Sequence, residues 1–146
     1  MSSIVAETKI PISVLDRSLY FKCLLLLTRK DRQISSAEFQ LMMKIGRCLD
    51  FERAFCKRAI SEILDNQHIV DAPPQFSRPD IAEYFIKDGL TLGYCDHEIA
   101  DSELEWLEAS ALANSVRLQA IIDAWKAGPY QGPDRPLEAE RLKTVY

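Results

Sequence analysis

Two pairs of carboxylates are the residues of this 146-residue chain best placed to do chemistry. Asp31 precedes Glu38 by seven positions, and Asp96 precedes Glu103 by the same interval. Each pair frames one pattern: Asp, two residues, Ile, three residues, Glu. Carboxylates so spaced could hold a hard divalent cation, which takes oxygen ligands. The spacing matches the later part of an EF-hand loop, yet Leu27 or Leu92 would fall at its first ligand position and Arg29 or Tyr94 at its second. Arg32 or His97 would stand where the loop needs glycine. Neither copy can therefore enclose calcium in that way. What remains is an open divalent-cation site at Asp31 and Glu38 or, preferentially, at Asp96 and Glu103. The plain structural reading uses the same residues differently. The aspartate accepts from turn amides, the isoleucine plugs the space between two helices, and the glutamate complements a helix N-terminus.

The two copies differ in charge. Arg29, Lys30 and Arg32 flank the first, whereas Asp96, Glu98, Asp101, Glu103, Glu105 and Glu108 follow one another without an intervening Lys or Arg. Acidic first turns suit the helix dipole whatever their use. As a functional surface, Glu98, Asp101, Glu105 and Glu108 would face a protein partner, or a second copy of the chain, through electrostatic complementarity.

Other chemistries find less support. Cys95, Asp96 and His97 are consecutive, so their side chains diverge, and no second Cys/His pair has zinc-ligand spacing. A cysteine nucleophile would need Cys56 or Cys95 beside His68 or His97, which spacing does not establish. There is no phosphate-cradling glycine loop and no dinucleotide fingerprint. The expectation is a non-enzymatic protein without a bound cofactor. A net charge of -4 argues against a nucleic-acid binder. Cys23, Cys48 and Cys56 sit in apolar helical patterns, no Cys-x-x-Cys occurs, and a reducing cytoplasmic setting fits best. The first nine residues lack a signal-peptide pattern. The apolar run Cys23 to Leu27 falls far short of the roughly 20 residues that span a bilayer.

The elements that must position these residues are helical. Ser13 followed by Asp16 predicts a helix from Val14 to about Lys30, and Leu24 to Leu27 cover all its faces, as in a helix surrounded by others. Ser35-Ser36-Ala37-Glu38 is a capping-box pattern that opens a second helix to about Leu49. A third starts at Phe51, with Phe55, Ala59, Ile60, Ile63 and Leu64 at helical spacing. Pro73-Pro74 interrupts, and Pro79 suits a first helical position before a helix to about Tyr94. Gly89 and Gly93 lie four apart in that helix and predict a close helix crossing. Asp101 to Asn114 and Leu118 to Trp125 complete the set, with Gly128 ending the last. Trp106 and Trp125 anchor the core or its rim. No strand pattern appears.

Over residues 25–38 against 90–103, five of fourteen positions are identical, among them Asp31/Asp96, Ile34/Ile99 and Glu38/Glu103. The fold class expected is all-α: a pseudo-two-fold bundle of two three-helix repeats, about 14–65 and 79–127, within one domain over 1–127. Residues 128–146 begin Gly/Pro-rich and read as a linker and tail, with Leu137 to Leu142 able to form a turn or two of helix, docked or free.

The doubled Asp-x-x-Ile-x-x-x-Glu helical turn resembles the tellurite-resistance TerB-like family, over roughly residues 14–127. The family's usual motif has glycine where Arg32 and His97 stand here. The resemblance implies a pseudo-duplicated helical fold, a context of tellurite resistance, stress response or membrane-associated co-chaperones, and metal binding at the acidic positions. The function expected is a binding or adaptor module, with a divalent-metal-binding protein as the alternative.

Overall fold

Ser13 starts the first helix as its sequence suggests: its hydroxyl accepts the Asp16 N–H at 3.1 Å. The computed structural model describes residues 9–29, 34–66, 71–95, 98–128 and 135–146. Within these, a short strand β1 (Ile10–Ser13) leads into α1 (Val14–Thr28), α2 (Ser36–Cys48) and α3 (Arg53–Asp65). Then come α4 (Pro79–Tyr94), α5 (Asp101–Ala113), α6 (Leu118–Lys126), a 3-10 turn (Glu138–Arg141) and β2 (Leu142–Val145). The described part is thus mostly helical, and no helix in it is long and apolar enough to cross a membrane.

Helix starts match between the two halves. Val14, Ser36 and Arg53 open α1 to α3, and Pro79, Asp101 and Leu118 open α4 to α6, each 65 positions later. Helix ends match as well. After α2, Asp50 turns left-handed at φ 67°, and after α5, Ser115 does so at φ 55°. Phe51 N–H returns to the Gly46 carbonyl at 2.9 Å, and Val116 N–H to the Ala111 carbonyl at 3.0 Å. These bonds satisfy carbonyls that a helix end otherwise leaves unpaired.

Leu24 to Leu27 are at most 1% exposed, as expected of a helix enclosed on all sides. α1 packs on α2, α3, α4 and α5, while α4 packs on α1, α5, α6 and the 3-10 turn. The expected close approach occurs at Gly89, where an added Cβ would sit 2.7 Å from Leu107 of α5 and 3.3 Å from Leu27 of α1. At Gly93 it would sit 2.6 Å from Ile99. Ile34 and Ile99 both pack, partly buried, against the core. Trp106 is buried and Trp125 lies at the rim, its indole N–H donating to Thr91 at 3.0 Å.

The strands depart from a purely helical expectation. β1 and β2 pair in parallel, Ile10 opposite Leu142 and Ser13 opposite Val145. Residues 137–142 therefore dock: Leu137, Ala139 and Leu142 are core residues, and the packed unit extends well past residue 127.

Candidate functional site

The two elbows hold their glutamates in the same way. Glu38 is 1% exposed and Glu103 is 0% exposed. Glu38 Oε1 accepts the Ser35 N–H at 3.0 Å while Ser35 Oγ accepts the Glu38 N–H at 3.0 Å, a complete capping box. Glu103 Oε1 accepts the Ala100 N–H at 2.9 Å, but Ala100 has no side-chain oxygen with which to reciprocate. Both carboxylates thus turn inward as helix caps. Asp31, Asp96 and His97 lie outside the described residues, as do Arg32 and His68. Among the described residues, no group of three or more His, Cys, Asp and Glu side chains is arranged to hold a metal.

The acidic residues expected at a partner face are exposed, and three of them come together. Asp101, Glu105 and Glu108 line a shallow groove between α5 and α6 of about 390 Å³, with Leu104, Leu118 and Ile122 as its apolar part. Glu98 is exposed just before α5 and does not line the groove. Glu103, in the same run of acids, faces the core instead, because its position on α5 differs by two residues from that of Asp101 and Glu105.

A second groove runs between α2 and α3, of about 590 Å³, and carries the opposite sign. Lys44, Arg47 and Arg53 line it together with Leu41, Met43 and Phe51. The two grooves occupy matched positions: Gln40, Met43 and Arg53 of the one stand 65 residues before Glu105, Glu108 and Leu118 of the other. Of the basic residues flanking the first elbow, Arg29 does not line this groove, and Lys30 and Arg32 lie outside the described residues. The signal was the basic spacing on the next two helices, Lys44, Arg47, Arg53, Lys57 and Arg58.

A further acid, Asp88, belongs to neither motif and is fully buried on α4. Its Oδ2 accepts the Tyr20 hydroxyl at 2.6 Å and the Ala139 N–H at 3.0 Å, and its Oδ1 accepts the Glu138 N–H at 2.7 Å. It joins α1, α4 and the C-terminal turn. Burial pushes its carboxyl up to about 7, against the pull of these three donors, and burial followed by the Asp88 charge raises the Tyr20 phenol. An acid inside the stripe Phe85, Gly89, Leu92 was the available sign.

None of the four cysteines is in a disulfide. Burial pushes Cys23 up to about 11 and also raises Cys48 and Cys56. These three are therefore poor thiolates at neutral pH. No family model matches the chain, and no curated protein or solved structure matches it either.

Proposed function

We propose that this chain is a TerB-like, pseudo-duplicated helical module that works by binding rather than by catalysis, with the groove between α5 and α6 as its docking face. The observation that carries the reading is the convergence of Asp101, Glu105 and Glu108 around Leu104, Leu118 and Ile122. Carboxylates rimming an apolar floor suit a partner segment that is basic and apolar, such as one face of an amphipathic helix. The repeat is supported by helix starts 65 positions apart and by the matched left-handed residues Asp50 and Ser115. By the TerB-like resemblance, the setting would be tellurite resistance or stress response in the cytoplasm.

The alternative, a divalent cation at Asp31 and Glu38 or at Asp96 and Glu103, has less support. Each glutamate already commits one oxygen to a helix-capping amide.

A fluorescent amphipathic Leu/Lys helical peptide tests the docking face by anisotropy. Binding should weaken as salt rises, and Glu105→Lys with Glu108→Lys should weaken it at least about tenfold. Binding that ignores both salt and the substitutions removes the reading. A melting temperature raised by millimolar calcium, magnesium, manganese or zinc would favour the cation instead.

A further inference from the structure

We propose that the groove between α2 and α3 receives the acidic face of α5 from a second copy of this chain. The proposal rests on the reading of α5 as a docking face and names the complementary surface. Asp101, Glu105, Glu108 and Leu112 are spaced by four, three and four residues, so they share one side of α5. All four are exposed, and Leu112, 71% exposed, is a large apolar side chain one turn beyond Glu108. The other side of α5 is committed to the core through Trp106, Leu107 and Ala111.

The α2/α3 groove has the matching chemistry. Arg47 and Arg53 are exposed on its walls. Lys44 lies beside them, 3.3 Å from Glu140, so the two arginines carry most of the positive field. Glu52, exposed at the start of α3, trims that field without reversing its sign. The apolar part suits Leu112: Met43 and Phe51 line the groove, and Phe55, 40% exposed, stacks on Phe51 at 5.0 Å. Arginine and aromatic side chains at one place are the composition of a protein-binding patch.

Carboxylates in line with an exposed leucine thus meet guanidinium groups beside the half-buried Phe51 and the exposed Phe55. The two faces are different patches of one surface, so each molecule offers both. Such a pairing joins copies head to tail, into a ring where the rotation closes and into an open chain where it does not. Opposite charges steer the encounter, and salt opposes it.

The test is sedimentation velocity of the full chain at about 0.01 M and about 1 M salt, where the screening length falls from about 30 Å to about 3 Å. The wild-type chain should associate at low salt, and its association constant should drop at least about tenfold at high salt. Arg47→Glu with Arg53→Glu, and separately Glu105→Lys with Glu108→Lys, should each leave a monomer with an unchanged far-ultraviolet spectrum, because every altered side chain is exposed. Mixing the two variants should restore association, since the acidic α5 of one meets the intact groove of the other. A wild-type chain that stays monomeric at low salt and about 1 mM protein overturns the proposal. So does a mixture that fails to associate while the wild type does. If the Leu/Lys peptide still binds in either case, only the self-pairing falls. If the peptide fails as well, the reading of α5 as a docking face falls with it.

Discussion

The first elbow, at Ser35 and Glu38, and the second, at Ala100 and Glu103, solve the same backbone problem with different help. In both, a buried glutamate accepts the N–H three residues before it, and a left-handed residue closes the helix that follows. Only the first adds the serine hydroxyl. The grooves on the matched helices then diverge completely, one basic and aromatic, the other acidic and aliphatic. Positions that fix backbone geometry agree between the halves, and positions that face solvent do not. Backbone donors at a helix start must be satisfied in either half, whereas an exposed side chain answers only to what it meets outside.

The sharpest break in the comparison lies at Asp88. The position 65 residues earlier is Cys23, also buried and without a comparable hydrogen-bonding task. Asp88→Ala should cost about 3–5 kcal/mol, since it strands the Tyr20 hydroxyl and two backbone N–H groups in the core. Cys23→Ala should cost about 1 kcal/mol, and urea denaturation of both variants measures the contrast. Hydrogen exchange should show the Asp88→Ala loss concentrated over residues 138–145. If the two variants lose equally, Asp88 is not what holds the C-terminal segment.

A smaller effect tests the elbows as equals. Glu38→Ala and Glu103→Ala should each cost about 2 kcal/mol, because each removes the acceptor of a buried cap. A loss at one elbow alone would show that the matched geometry hides unequal roles.

The pH dependence is spread over several pH units. The Asp88 carboxyl rises from an ordinary 3.8 to about 7 on folding. Between those values the folded chain holds more protons than the unfolded one. The contribution of this group to stability is therefore complete below about pH 4 and is lost as pH rises through about 7. Stability of the wild type should decline across that interval by about 1 kcal/mol per pH unit at the steepest. Asp88→Asn should flatten the slope. A wild-type curve that climbs over the same interval, and is unaffected by Asp88→Asn, would contradict the assignment.

The smallest effect completes the comparison by exchange. Ser35→Ala should cost about 1 kcal/mol, and Ala100→Ser should return about half of that to the second elbow. Thermal melts of the two variants and the double substitution would show whether the elbows become equivalent.

The helices were legible because their signals are local. Ser13, the Ser35 box and Pro79 mark starts within one residue of where they occur, and the Leu24 to Leu27 run announces an enclosed helix. The strands were not. Ile10-Pro11-Ile12-Ser13 is too short for a period-two pattern, and its partner lies more than 125 residues away. The docking of the tail was hidden for the same reason, since its tie runs through Asp88 to amides fifty residues later. Of the candidate site, the acidic helix face could be read from spacing. Its apolar floor could not, because Leu118 and Ile122 come from a different helix. The basic groove needed both α2 and α3 in place.

The parallel pairing of β1 with β2 has a mechanical consequence. Ile10 lies at the entry to one strand and Val145 at the exit of the other, on opposite ends of the little sheet. Force applied through residues 9 and 146 would pull the strands lengthwise past each other and load their backbone bonds together, rather than peeling them one at a time. In a tethered molecule this seam would act as the clamp that must yield before any helix unwinds.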